Sequence, residues 1–194
     1  MISKKQMEFH FYVQDLSTSD TVMQMDNFIQ HGDITTLEHV LAVAYTSFIL
    51  AKKWHANVEE TVRGAMLHDL YLYDWHIKDP KNRPPLTHGF THPATAVKNA
   101  KVYFEPTPKE IKIIRSHMWP LTVFHIPTSK EALIVTLADK YCAVNETLGI
   151  YDDSDFRKKI KAYLVFIKKE RAARNLANRQ LKNTKHRKKR EHDA

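Results

Sequence analysis

A histidine and an aspartate stand side by side at the end of an apolar run, Gly64-Ala65-Met66-Leu67-His68-Asp69-Leu70. The run has helical spacing, because Val58, Val62 and Ala65 fall on one face of a helix. Adjacent helix positions point about 100° apart, so one metal ion near the helix end could touch both the imidazole and the carboxylate. A lone His-Asp pair is typical of an ordinary protein surface, so its meaning depends on the rest of the chain.

The composition favours an all-α protein with one sizeable core. The chain has 194 residues but only 4 glycines, too few for the turns that strands need. Capping boxes at residues 35–38 and 107–110, and a serine cap at Ser129, mark three helix starts. We predict a long irregular loop over residues 71–91 and helices over 20–29, 35–54, 58–69, 91–104, 107–117, from 129 onwards and over 155–181.

Charge and pattern divide the chain into four parts. Residues 1–19 form an N-terminal arm without a clear period, and residues 20–150 form the main domain. An amphipathic basic helix over 151–181 and a basic disordered tail over 182–194 follow. Residues 156–190 carry 15 Lys and Arg against one acid, whereas residues 1–155 carry 15 against 19. The basic end is either a solvated tail or a docking site for nucleic acid or another acidic partner.

The chain shows no sign of export or of a membrane span. Cys142 is the single cysteine, so no disulfide can form within the chain, which suits a reducing compartment. The first residues lack the apolar stretch of a signal peptide, and the longest apolar run, over 40–51, is too short to cross a bilayer. We therefore expect a cytoplasmic protein.

Six polar side chains stand inside apolar helix segments or at helix ends, at intervals of 22 to 29 residues. Two antiparallel helices per interval would bring successive members to the same end of a bundle. Imidazole and carboxylate together suit first-row metals. Each residue alone is typical of a buried, hydrogen-bonded core position, but the set predicts a metal site. Its members are His39, His68, Asp69, His92, His117 and Asp139.

The order His39, His68-Asp69, Asp139 resembles the H…HD…D signature of HD-domain metal-dependent phosphohydrolases. His92 and His117 are similar to the extra histidines of the dinuclear branch, which includes the HD-GYP phosphodiesterases and the YqeK-type diadenosine tetraphosphate hydrolases. His92 opens a His-Pro element like that of the HD-GYP enzymes, with alanine in place of glycine at its end. The GYP element and a second histidine after His117 are missing, so the pattern is closer to the YqeK type.

The resemblance covers roughly residues 20–150, and stretches 72–76 and 117–121 are also similar to a group of small bacterial HD proteins. It implies an HD-domain helical bundle. It further implies a metal-dependent phosphohydrolase, either a phosphomonoesterase or a phosphodiesterase, acting on a nucleotide or other small phosphate ester through a metal-activated water. The basic tail lies outside the resemblance.

The resemblance also implies a ligand set of one or two divalent transition ions, such as Fe, Mn, Ni, Zn or Co. By position, one ion is held by His39, His68, Asp69 and Asp139. Asp69 is the implied bridging ligand of the metal-bound water, reaching a second ion held by His92 and His117.

Further residues around these motifs are candidates for catalysis and substrate binding, and each is also compatible with an ordinary structural role. Asp74, with His76 beside it, could act as an acid or base, and Lys140 could face phosphate. Arg115 could pair with phosphate through two hydrogen bonds. Candidates for substrate contact are His31, His88, Arg115, Tyr73 and Trp119, with Tyr71 and Trp75 as further aromatic residues that could stack on a base.

The sequence is also compatible with a non-enzymatic function. The same domain could sense a nucleotide or a metal, with the basic tail docking a polyanionic partner. The intact set of ligand positions favours an enzyme, because a pure sensor has no need to keep all of them.

Overall fold

The computed structural model describes residues 2–77 and 85–192, with side chains described over 2–77 and 87–181. These residues form an all-α architecture, as predicted, with one short β-hairpin. The elements are α1 (Lys4–Ser17), α2 (Asp20–Met23), a 3-10 turn (Gln24–Asn27), β1 (Ile29–His31), β2 (Ile34–Thr35), α3 (Thr36–Lys53), α4 (Val58–Leu67), α5 (Pro85–Tyr103), α6 (Pro108–Ser116), α7 (Lys130–Thr147) and α8 (Asp155–His192).

Helix α3 is the central helix of the fold. The Thr35 hydroxyl accepts a hydrogen bond from the Glu38 amide at 3.1 Å, which fixes the start of the helix. The helix is apolar nearly all round, and it packs against α4, α7 and α8. Its first turn therefore carries His39 into the middle of the protein, where the side chain is fully buried.

Helices α4 and α6 pack closely and end at the same level. A Cβ on Gly64 would lie 2.8 Å from Cγ2 of Ile113, so only glycine allows this approach without a shift. The predicted capping box of Thr107 and Glu110 starts α6. His68 caps the C-terminus of α4 and His117 caps that of α6. The close contact thus places two predicted ligands side by side.

The N-terminal residues form a helix and not the irregular arm that the sequence suggested. Ser3 and Gln6 form a reciprocal capping box at the start of α1. Phe9, Val13 and Leu16 are buried on one face of this helix. Exposed aromatic residues such as Phe11 on the opposite side obscure this period in the sequence.

The helix predicted over residues 20–29 is shorter than expected. Ser19 caps α2 at the predicted start, but the chain then enters the 3-10 turn and the hairpin of β1 and β2. Gly32, with φ of 54°, lies in the turn of this hairpin. The hairpin carries Gln30 and His31 towards the start of α3.

Helix α5 begins at Pro85, inside the loop predicted over residues 71–91. Thr91, where the sequence predicted the start of this helix, lies within α5, and its hydroxyl donates to the Thr87 carbonyl at 2.9 Å. Proline at the first helical position has no amide to satisfy, which favours this earlier start. Lys78, Lys81 and Arg83, which the sequence places on this loop, lie outside the described residues.

Helix α8 starts at Asp155, as predicted, but continues through residues 182–192, where we expected a disordered tail. Lysine, arginine and glutamine have high intrinsic helix propensity, which favours the extension. Near its start, buried Arg157 donates to Glu38 and Asp33, at 2.8 and 2.9 Å, and to Asp152. Polyanion binding by this basic helix stays a prediction. Among the described residues, no helix has the length and apolar character to span a membrane.

Candidate metal centre

The structure brings the six predicted ligands into one buried cluster. They come from five helices or helix ends: α3, the C-terminus of α4, the middle of α5, the C-terminus of α6 and α7. Each side chain belongs to a residue that is at most 7% exposed. The cluster contains His39, His68, Asp69, His92, His117 and Asp139.

The first half of the cluster combines two imidazoles with two carboxylates. The Nε2 atoms of His39 and His68 lie 3.2 and 3.6 Å from Oδ1 of Asp139. The same two nitrogens lie 3.9 and 3.5 Å from Oδ2 of Asp69. Two nitrogen and two oxygen donors therefore surround one small volume.

The second half uses the other oxygen of the same aspartate. Oδ1 of Asp69 lies 3.1 Å from Nε2 of His92 and 3.5 Å from Nε2 of His117. These two ring nitrogens are only 2.8 Å apart. The carboxylate of Asp69 thus stands between the two histidine pairs, with one oxygen towards each.

Backbone carbonyls orient three of the four rings. Nδ1 of each of these histidines donates to a carbonyl three or four residues earlier in the chain. The acceptors are Ala65 for His68 at 2.7 Å, His88 for His92 at 2.8 Å and Ile114 for His117 at 2.7 Å. Since a carbonyl can only accept, Nδ1 carries a proton, and in the neutral ring the Nε2 lone pair faces the cluster.

The fourth ring is held by a buried carboxylate that sequence reasoning missed. Nδ1 of His39 lies 2.8 Å from Oε2 of Glu146, whose side chain is fully buried. A carboxylate behind a histidine is a common support for a metal ligand, because it fixes the ring and makes it more basic. One signal was available: Glu146 follows Asp139 by seven residues on α7, which places both on one face.

A second group that the sequence analysis missed orients Asp69. The Gln30 side-chain amide donates to Oδ2 of Asp69 at 3.0 Å. The amide is fixed in turn by the hydroxyls of Tyr71 and Thr36, which donate to its oxygen. No sequence signal pointed to Gln30, because its position depends on a hairpin that the pattern did not predict.

Burial and neighbouring charge set the protonation of the cluster. Burial disfavours charged imidazole, but the carboxylates of Glu146 and Asp139 outweigh it and raise the pKa of His39 well above its ordinary value. Burial likewise opposes ionisation of Asp69 and Asp139, yet the surrounding imidazoles hold the pKa of both carboxyls well below the usual range. Burial, with His68 and His92 nearby, lowers the pKa of His117 to about 3.

The donor set fits a divalent transition metal. Nε2 of His68 and Oδ1 of Asp69 are buried and make no hydrogen bond within the described part of the chain. The facing Nε2 atoms of His92 and His117 are both acceptors in the neutral rings, because Nδ1 carries the proton, so a cation bound by both nitrogens would remove the repulsion between them. Ionised carboxylate and unprotonated imidazole nitrogen are the ligand forms that metals require.

Several predicted substrate residues lie next to the cluster. The His31 ring centre is 5.9 Å from that of His39. The His88 ring stacks on His92 at 4.6 Å, and Nδ1 of His88 lies 3.2 Å from the Tyr73 hydroxyl. Trp75 lies parallel to His88 at 5.1 Å. The rings of Tyr73, Trp75 and His88 therefore line the second half of the cluster, whereas His31 lies beside the first half.

The other predicted catalytic and substrate residues lie at the edge of the cluster or make no described contact with it. Lys140 donates to the His117 carbonyl at 2.8 Å, and its Nζ is 3.7 Å from Oδ2 of Asp139, so it lies at the edge of the cluster. Asp74 accepts from the amide of His76 within its own loop. Arg115 is exposed and lines a separate cavity beside Phe124. No described contact joins Asp74, Arg115 or the exposed Trp119 to the six ligands, and their roles stay predictions.

Comparison with known proteins adds one match. The family model described as HD domain matches residues 36–144, which is more than half of the chain and includes all six clustered residues. No curated protein sequence and no solved structure gives a significant match to the chain.

Proposed function

Since the chain belongs to the HD-domain family, we propose that it is a metal-dependent phosphohydrolase acting on a nucleotide or another small phosphate ester. The observation that carries the proposal is the position of Asp69. Its two carboxylate oxygens face two different histidine pairs, one formed by His39 and His68 and the other by His92 and His117. A carboxylate in this position suits a bridge between two metal ions.

The ligands divide into two sets that share Asp69. In the proposed assignment His39, His68 and Asp139 complete one set, and His92 and His117 complete the other. Bound divalent ions would supply a water of lowered pKa as the nucleophile and would neutralise charge on the phosphoryl oxygens. The protein's own part is to hold the donors in place, and Gln30 and Glu146 do this for Asp69 and His39.

The groups around the ligands support a phosphorylated substrate. Lys140 is held by the His117 carbonyl and places a positive charge at the edge of the cluster, where a phosphate would approach. Burial lowers the pKa of His88 to about 4, so this ring is neutral at physiological pH and can donate or accept a hydrogen bond. We assign substrate contact to His31, His88 and Tyr73, and acid or base function to Asp74.

The test is metal analysis followed by an activity panel. Protein purified without oxygen is analysed for bound metal by mass spectrometry and then assayed with Mn or Fe on phosphate monoesters, nucleotides and dinucleotides. We expect about two bound ions per chain and hydrolysis of at least one nucleotide class. Asp69→Ala should lose metal and at least about 1,000-fold of the activity.

The matched control is His125→Ala, which removes an exposed histidine away from the six ligands and should change neither measurement. Absence of metal from the wild type together with no hydrolysis would refute the proposal. Tight nucleotide binding without turnover would instead indicate a sensing module.

A further inference from the structure

The outward face of α7, together with its C-cap residue Leu148, carries a stripe of exposed apolar side chains. Its members are Leu133, Leu137, Tyr141, Val144 and Leu148, exposed by 36, 45, 62, 55 and 66%. The successive spacings of 4, 4, 3 and 4 residues place all five on one side of the helix. A solvent-facing helix surface is normally polar, and a contiguous apolar patch of this kind marks an interaction surface. We call these five residues the α7 stripe.

Apolar surface continues beyond both ends of the α7 stripe. Phe124 and Ile126 precede its N-terminal end, exposed by 93 and 59%, and Ile150 follows its C-terminal end, exposed by 61%. A cavity of about 310 Å³, lined mainly by apolar groups that include Tyr141 and Ile150, lies beside it. With typical residue areas the exposed surface of these eight residues comes to about 900 Å², similar to the roughly 800 Å² that each partner gives to a stable interface.

The spacing within the α7 stripe is symmetric about its own centre. Leu133 and Leu148 lie equally far from a point between residues 140 and 141, and so do Leu137 and Val144. An interface with a two-fold axis needs a surface that is complementary to itself. When two such helices pack antiparallel, the four aliphatic residues of one stripe face those of the other, and Tyr141 covers the aliphatic part of Lys140.

We propose that the α7 stripe is a homodimer interface, in which α7 of one chain packs antiparallel on α7 of a second copy across a two-fold axis between Lys140 and Tyr141. This arrangement brings Phe124 of one copy towards the end of α7 near Ile150 in the other, where the cavity lies. Asp139 is buried on the inner side of the same helix, so the interface forms without covering that ligand.

The first experiment measures mass in solution by light scattering on the full chain. We expect the wild type at twice the chain mass of 22.7 kDa. Val144→Glu puts a charge into the stripe and should raise the dimer dissociation constant by at least about 30-fold. Val165→Glu is the matched control, because it alters a similarly exposed valine on α8 and should leave the mass unchanged. A monomeric wild type, or a dimer that Val144→Glu leaves intact, overturns the proposal.

The second experiment tests the orientation and does not depend on how Val144→Glu folds. Tyr141→Cys places a thiol next to the two-fold axis and should cross-link to the same residue of the second copy on oxidation. In antiparallel packing the two thiols introduced by Leu148→Cys would lie about 20 Å apart, so this variant should not cross-link. Native Cys142 is buried, so the wild type gives the background level of cross-linking. Cross-linking of Leu148→Cys but not of Tyr141→Cys would contradict the antiparallel packing.

Discussion

The two halves of the cluster differ in charge although they share Asp69. The half around His39 and His68 faces two carboxylates, and Glu146 stands behind it. The half around His92 and His117 faces one carboxylate oxygen. Accordingly, the pKa of His39 is raised and that of His117 is lowered, in each case as the net result of burial and neighbouring charges. We therefore expect the half around His39 and His68 to hold its proposed ion more strongly than the half around His92 and His117.

The largest difference between the two halves should appear when one proposed ligand is removed from each of them. We expect Asp139→Ala to lose the ion of the carboxylate-rich half together with essentially all activity, because that half then keeps only one carboxylate. His117→Ala should lose only the more weakly held ion. Metal content per chain after extensive dialysis measures both effects. Equal losses in the two variants would show that the halves do not differ in strength.

Removing the carboxylate behind His39 gives a smaller effect. Glu146→Gln keeps the shape and a hydrogen bond but removes the charge that makes the ring basic. We expect metal affinity to fall by about 10- to 100-fold, with the helical content unchanged. Competition with a chelator of known affinity measures this change. The control is Glu8→Gln, which alters an exposed surface ion pair with Lys52 and should have no effect.

The pH dependence of metal binding should also differ between the two halves of the cluster. Protons compete with metal at His39 and His68, whose pKa values are raised, since the carboxylates of Glu146, Asp139 and Asp69 outweigh burial. Affinity for the first ion should therefore rise with pH through and above neutrality, by up to about tenfold per pH unit for each proton displaced. His117, with its pKa lowered to about 3, adds no such dependence near neutral pH. Titration calorimetry in buffers between pH 6 and 8 tests this, and an affinity that does not change with pH would contradict it.

The smallest effect is expected from a change at the close contact between α4 and α6, whose C-terminal ends carry one histidine of each half. Gly64→Ala forces a Cβ against Ile113, so α4 and α6, which end at His68 and His117, must separate slightly. We expect a loss of about 1–3 kcal/mol in the free energy of unfolding and only a modest change in metal affinity. Thermal unfolding followed by circular dichroism measures the loss. An unchanged melting temperature would mean that Ile113 repacks without cost.

Local signals made much of this fold and of the cluster predictable from sequence. Thr35, Thr107 and Ser129 cap the helices that they were expected to start. The six clustered residues stood out in the sequence because imidazole and carboxylate are rare in otherwise apolar helices. Both kinds of position can be recognised from their neighbours in the sequence alone, without knowledge of tertiary contacts.

The remaining features depend on tertiary contacts that no local pattern encodes. Gln30 reaches Asp69 only because a hairpin forms where a helix was expected. Helix α1 is stabilised by packing of Phe9 and Leu16 on the core, which outweighs its weak helical period. Arg115 looked suitable for phosphate by its distance in sequence from His117, but it lies on the exposed side of α6.

The buried guanidinium of Arg157 gives the fold a cooperative unit that includes one side of the cluster. It joins three segments that are far apart in sequence: α8, the first turn of α3 through Glu38, and the hairpin turn through Asp33. His39 follows Glu38 directly, and Gln30 lies on the same hairpin as Asp33. Detachment of the C-terminal helix would therefore loosen the supports of His39 and Asp69 in the same opening event, so amide hydrogens of the hairpin and of early α8 should exchange with similar free energies.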